Sequence, residues 1–194
     1  MANNQNILAG VEAGGTSGLS LAWFAPEGTA APTSATTALA AAWKDAGLCT
    51  ENGLSIKVSE SSKDIQAFGS GAPVRTLVTS SKLTFDVAFL ESNPVSLAVY
   101  NRLGLGDITP DATGAFDFGV GAHRTQKYAA TFDVVDGTNH LRFYCPSVEV
   151  TDRADLAVQA GNEISYGVTL TAYPGADGVA VHEFYVVNAL KTGA

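Results

Sequence analysis

The chain predicts a mainly β fold, a β-sandwich or partial barrel with one flanking α-helix and a long N-terminal arm. Three observations predict it. Apolar and polar residues alternate with the period of two that a half-buried strand requires, through most of the chain beyond residue 54. Tight-turn pairs, Asp136-Gly137, Pro174-Gly175 and Asp177-Gly178, punctuate these runs. One stretch alone in that region carries a full helix signature of cap, proline, apolar stripe and terminating glycine. At 194 residues an all-β chain suits one domain, so 1–194 is read as a single unit.

Residues 1–18 start polar and end in the Gly-rich run 10–18, which reads as a flexible arm. A phosphate-cradling loop would need a clear strand before it, a Lys-Ser/Thr pair at its end and an amphipathic helix behind it, and the sequence supplies none of these. The apolar segment 19–24 then opens the first strand. Residues 25–53 shift to Ala, Thr, Pro and Gly, a connection long enough to carry a task or structure of its own. Within it, Thr36 or Thr37 is placed to cap a short Ala-rich helix at 38–46, with Gly47 as the left-handed residue that ends it. Leu39 and Trp43, four apart, would share one face of that helix. Two roles stay open for the segment: a surface loop packed on its own domain, or an arm reaching an adjacent subunit.

Strand signals follow. Residues 54–60 alternate Ile56 and Val58 against Lys57 and Ser59, and 64–68 is placed to pair back across 60–63. Residues 73–80 and 82–91 form the longest strand stretch. Leu83, Phe85, Val87 and Phe89 lie on one face and Thr84, Asp86 and Ala88 on the other, so one face is dry and one wet. Ser92-Asn93-Pro94 opens the helix, Leu97, Tyr100 and Leu103 form its stripe and Gly104 closes it, the pattern of a helix laid over a sheet. Beyond a turn-rich link from Gly106 to Gly114, strands are expected at 116–120, 128–136, 141–151, 163–173 and 179–188. Pro146 cannot donate to a ladder and belongs at an edge or a bulge.

Charged residues make up 15% of the chain, against about 25% in an ordinary soluble domain. Interface cores are depleted of charge, so this composition fits a subunit that buries much of itself against its copies. It fits equally a Gly- and Ala-rich protein with a neutral polar surface. The net charge of −8 repels polyphosphate, which argues against sequestering nucleic acid, and Lys57, Lys63, Arg75 and Lys82 look scattered among acids. Cys49 and Cys145 lack the spacing of a disulfide scaffold or a zinc site and read as buried, reduced thiols. The N-terminus carries no basic stretch followed by an apolar one, and the apolar runs fall far short of about 18 residues, so synthesis and folding in a cytoplasm, with no membrane partner, are expected.

The side chains that carry chemistry are dispersed. His123, His140 and His182 lie far apart and outside any ligand spacing. Asp133 and Asp136 flank a hairpin turn and read as turn-capping residues rather than calcium ligands, as do Asp107 and Asp111. No Gly-x-Ser-x-Gly nucleophile signature is present. No catalytic, metal or cofactor-binding residue is assigned, no cofactor is expected, and the chain reads as a non-enzyme.

Two stretches resemble a known family. The first runs from Ala25-Pro-Glu-Gly-Thr-Ala-Ala-Pro32 through the Ala-rich segment to Gly47-Leu48, followed by Glu51-Asn-Gly53. It is similar to the Gly-Thr-x-x-Pro loop, short helix ending in Gly, and acidic turn of the major tail tube proteins of siphophages, above all those with actinobacterial hosts. The second, Arg75 to Pro94, resembles that family's long strand pair leading through Leu-Glu-x-Asn, here Leu90-Glu-Ser-Asn93, into the helix. Together they cover roughly a third of the chain. Ala46 and Cys49 depart from the pattern, which has an aromatic or aliphatic residue at each place.

The resemblance implies the phage tail tube fold, with six copies closing into a ring and rings stacking into a hollow tube through which double-stranded DNA passes. It implies as partners other copies of the chain, a tape-measure protein, a tail terminator and tail-tip proteins, in a virion tail. On that footing segment 25–53 is expected to contact neighbouring subunits or rings through Pro32, Leu39, Trp43 and Leu48. The acidic pI of about 4.7 and the wet face of 82–91 suggest an acidic bore with Asp86 as its liner. The competing reading is a monomeric β-sandwich binding module, such as a capsid decoration or carbohydrate-adhesion domain. A hydrolase with a site assembled from distant residues stands third.

Overall fold

The structure, a computed structural model, describes residue 8, the backbone of residues 12–13, and residues 20–121 and 124–190. Most of the expected arm 1–18, with its Gly-rich run, and His123 lie outside the described residues. The strands are β1 (Glu12–Ala13), β2 (Ala22–Pro26), β3 (Lys44–Asp45), β4 (Cys49–Gln66), β5 (Pro73–Phe89), β6 (Lys127–Asp136), β7 (Asn139–Arg153), β8 (Tyr166–Tyr173) and β9 (His182–Val186), with helix α1 (Pro94–Tyr100) between β5 and β6. The fold is mainly β with one α-helix among the described residues.

All strand pairs are antiparallel, in the order β3-β2-β6-β7-β8-β5-β4, with β1 joining β6 and β9 joining β7 off that path. The sheet curls until strands from its two ends meet. Phe85 of β5 stacks on Phe132 of β6 with ring centroids 5.1 Å apart, although two strands separate them in the sheet. Phe24 of β2 meets Phe89 of β5 edge-on at 6.0 Å. This partial barrel encloses a core of Phe24, Phe85, Phe89, Tyr128, Phe132 and Leu170 with helix α1 packed on it. The dry face of β5 lies where alternation put it: Phe85, Val87 and Phe89 are buried while Thr84, Asp86 and Ala88 are half-exposed.

Strand β6 is buried on both faces, which no core strand of a simple two-layer fold with a wet exterior would be. Tyr128, Ala130 and Phe132 face the main core, whereas Ala129 joins a second cluster with Ala25, Trp43 and Tyr144 on the outer face of the sheet. Segment 27–43 covers that outer face.

Pro146 sits at a bulge. Ala130 opposes Cys145 and Tyr128 opposes Val148, so Pro146 and Ser147 together face Ala129. It also marks the point where β7 changes its other neighbour, from β9, whose first residue His182 lies opposite Tyr144, to β8, whose last residue Tyr173 lies opposite Ser147. A residue without an N–H is tolerated at such a handover.

Helix α1 is capped at its N-terminus as the sequence predicts, but it ends at Tyr100 and is closed by Arg102 rather than by the expected Gly104. Asn93 Oδ1 accepts from the backbone N–H of Val95 and Ser96, both at 2.9 Å, and Ser96 Oγ accepts from Asn93 N–H at 3.1 Å, a reciprocal capping box. At its other end Leu103 N–H reaches Ala98 O at 2.8 Å and Arg102 N–H reaches Val99 O at 3.1 Å, the paired bonds of a Schellman cap. The left-handed position of that motif, normally glycine, is Arg102 at φ 57°, and its Nε is buried with no partner among the described residues. Arg102→Gly is therefore expected to raise stability by about 0.5–1 kcal/mol, a Tm gain of roughly 2 °C in thermal denaturation. A lower Tm would show that the arginine side chain more than repays its backbone strain.

Three expected elements are corrected. Residues 38–46 are not a helix but an irregular stretch with a turn at 41–42 that runs into β3. The carbonyls of Ser34 and Thr37 accept from the Arg142 guanidinium at 2.9 and 2.7 Å, and Lys44 pairs with Phe24, so tertiary partners outbid a helix too short to stand alone. Ser34, rather than Thr36 or Thr37, supplies the cap-like oxygen, accepting from Thr36 and Thr37 N–H. Gly47 does adopt φ 81°, but in the turn from β3 to β4, where a Cβ would meet the Glu91 carboxylate.

Residues 60–63 are not a turn. Strand β4 runs through them to Gln66 and pairs with β5, and the chain reverses at 67–72, where Gly69 has φ 80°. Residues 60–63 hold no Gly, Pro, Asn or Asp, and the first glycine after Gly53 is Gly69. Residues 116–120 are not a strand either. Asp111 Oδ1 accepts from Thr113 and Ala115 N–H at 2.8 and 3.0 Å and holds the preceding turn, and Phe118 packs on the core while its neighbours stay exposed.

Candidate assembly surfaces

The β4–β5 hairpin is the most exposed element. Strand β5 pairs with β8 only from Leu83 to Phe89, and its continuation to Pro73 pairs with β4 alone. That continuation spans roughly 30 Å of extended chain. Every residue from Ser55 to Gly69 is exposed, Val58 is 64% exposed and Val78 63%, and Phe68 at the tip is fully exposed. A two-stranded ribbon wetted on both faces is marginal in water. Among the described residues β4 is also the last strand of the sheet, so its outer edge presents N–H and C=O groups with no pairing strand there over much of its 18 residues.

A bulge sorts the hairpin's side chains. Ser61 opposes Ser80 but Ser62 opposes Val78, so Thr79 is an extra residue on β5. Cross-strand partners and alternate residues share a face. The register therefore gathers Lys57, Lys63, Arg75 and Lys82 on the face that carries Asp86, and Ile56, Val58, Glu60, Asp64 and Val78 on the opposite one. The four cations that look scattered in sequence form a stripe, because the bulge brings Arg75 to the side of Lys82.

Asp86 lies at the base of that stripe. It pairs with Lys57 and accepts from Thr169 Oγ1 at 2.6 Å, and these hydrogen bonds, Lys57 first, hold its carboxyl below the usual range. It borders an outer groove of about 340 Å³ that reaches Asp152 and Arg153.

Segment 27–43 is pinned to its own subunit. Trp43 is 5% exposed and meets Tyr144 edge-on at 6.0 Å, Pro32 is buried, and Leu39 is half-buried in the same outer cluster. Leu48 alone of the four arm residues is exposed, at 39%. The fastening is Arg142, whose Nε and Nη2 donate to the two carboxylate oxygens of Asp133 at 2.7 and 2.6 Å while Nη1 donates to the arm's carbonyls. Asp133 is thus not a turn-capping residue. Burial pushes its carboxyl up, and the guanidinium pulls it back. Neither residue announced this pairing in sequence; the signal available was their position directly opposite one another across the Asp136-Gly137 hairpin.

The remaining reactive groups are dispersed. His140 stands opposite Val186, and His182 stacks on Tyr144 and pairs with Asp177 at 2.8 Å. Both thiols are free; burial, with Asp45 and Glu91 adding to it, pushes Cys49 up to about 12, and burial raises Cys145 as well. Among the described residues no three His, Cys, Asp or Glu side chains gather as a metal site, and no helix is long and apolar enough to cross a membrane.

A family model described as phage tail tube protein matches residues 7–192. No curated protein matches the chain.

Proposed function

Because the chain belongs to the phage tail tube protein family, a structural component of the virion tail, we propose that it works by closing into rings, six copies to a ring, that stack into the conduit for DNA. The observation that carries this reading is the β4–β5 hairpin: an 18-residue strand whose outer edge has no pairing strand among the described residues, and a ribbon that projects past the rest of the sheet. Main-chain pairing of that edge with a neighbouring subunit removes the edge and continues the sheet around a bore. A heterologous contact whose rotation closes gives the ring, and a second contact with translation gives the stack. Assembly geometry, rather than reaction chemistry, is the function.

The bore is acidic in this reading, since carboxylates there keep phosphates from lodging at close range. Glu60 and Asp64 supply it better than Asp86, which shares its face with four cations. Segment 25–53 contributes contacts to neighbours through Leu48 and its exposed Ala and Thr residues, with Pro32, Leu39 and Trp43 holding it in place. Tape-measure, terminator and tail-tip proteins complete the set of partners. Negative-stain electron microscopy of the purified protein, concentrated and nucleated, tests the proposal. Rings with a central hole and stacked tubes are expected, and an isolated particle under every assembly condition would refute it.

A further inference from the structure

Resting on the tube reading, we infer that rings stack through a charge-matched, head-to-tail contact in which the basic face of the β4–β5 hairpin docks on the acidic 152–164 segment of a copy in the next ring. Charge is the first ground. Residues 54–84 hold four cations and two acids, net +2, in a chain of net −8, which leaves −10 on the remainder. Lys57 is paired with Asp86, but Lys63, Arg75 and Lys82 have no ion-pair partner among the described residues, so three of the stripe's four cations are left without a carboxylate there.

Position is the second ground. Leu83 opposes Ala172 and Phe89 opposes Tyr166, so the hairpin leaves the sheet past the Tyr173 end of β8; Asp152 and Arg153 still pair with Thr169 and Val168, and residues 155–164 lie at the other end, ahead of Tyr166. The two surfaces therefore occupy opposite ends of the subunit, as a repeating contact with translation requires.

The third ground is the make-up of the receiving segment. Residues 151–164 are exposed without interruption. Asp152, Asp155 and Glu163 supply its charge, and its one cation, Arg153, is turned back onto the Tyr100 ring at 5.3 Å. Leu156 and Val158, 47% and 73% exposed, offer apolar contact to Ile65 and Leu77, which share the basic face of the hairpin. A contact with cations at one end and carboxylates at the other also gives the stack a direction, because like ends repel.

Reciprocal charge reversal in the full chain tests this. Lys63→Glu with Lys82→Glu, and separately Asp155→Lys with Glu163→Lys, alter exposed side chains and should leave the fold, read by circular dichroism and Tm, unchanged. Each pair is expected to lower tube yield, measured by sedimentation and microscopy, by about tenfold or more. The four substitutions together should restore most of it, and wild-type yield should fall as salt rises. Tubes that ignore both reversals, or a fourfold variant no better than either pair, would overturn the contact and leave the tube reading standing. A wild-type protein that never forms tubes would remove the tube reading instead. Retarded duplex DNA at physiological salt, lost with Lys63→Glu and Lys82→Glu while tubes persist, would reassign the basic face to nucleic acid and equally overturn the proposal.

Discussion

Replacing Arg142 by alanine should destabilise the protein by about 3–5 kcal/mol, a Tm loss of roughly 10 °C in thermal denaturation. The size follows from what is left behind. Asp133 is 4% exposed and would keep a buried carboxylate with no cation, and the Ser34 and Thr37 carbonyls would lose their donor. Breaking a buried pair costs more than the pair is worth, because one charge remains without water or partner. The double change Arg142→Met with Asp133→Leu should recover much of the loss, since it removes both charges together. It should not recover the arm: limited proteolysis within residues 30–41 is expected to speed up in both variants. A Tm within about 2 °C of wild type for Arg142→Ala would show that the arm is held by Trp43 and its neighbours without the ion pair.

That ion pair also marks where sequence reasoning reached its limit. Strands with one dry face were legible residue by residue. Phe85, Val87 and Phe89 are buried as alternation required, Asp136-Gly137 turns a hairpin, and Asn93-Pro94 caps a helix. These are local signals, and local hydrogen bonds satisfy them. The Ala-rich segment 38–46 carried an equally local helix signal, but the carbonyls just ahead of it, of Ser34 and Thr37, were claimed by an arginine about a hundred residues away, which no window along the chain contains. Residues 116–120 alternate like a strand yet lack a neighbour to pair with, because partners are set by topology. The family was legible, but the place of the exposed and charged faces was not. Low charge and the family resemblance pointed to self-assembly, whereas the cationic stripe depends on one extra residue, Thr79, that shifts every side chain of β5 beyond it. A register shift of that sort leaves no trace in composition.

Shortening the hairpin should abolish tube formation while leaving the subunit folded. Glu60 and Ser81 are cross-strand partners, so residues 61–80 can be replaced by Asn-Gly, which closes two antiparallel strands in a type I′ turn. The excised residues belong to neither hydrophobic cluster, and only Leu77 and Ser70 among them escape full exposure. The core below, with Phe85 against Phe132 and Phe24 against Phe89, is untouched. The expected Tm therefore lies within roughly 3 °C of wild type. Assembly should differ, because in the tube reading a ribbon that contributes nothing to its own subunit's core and is marginal alone finds its partner in a neighbouring copy. Size-exclusion chromatography should show a compact species, and concentrated samples should show no tubes under the microscope. Wild-type tubes from the shortened chain would place the stacking contact outside the hairpin, and a collapse in Tm would mean that the ribbon supports the sheet it grows from.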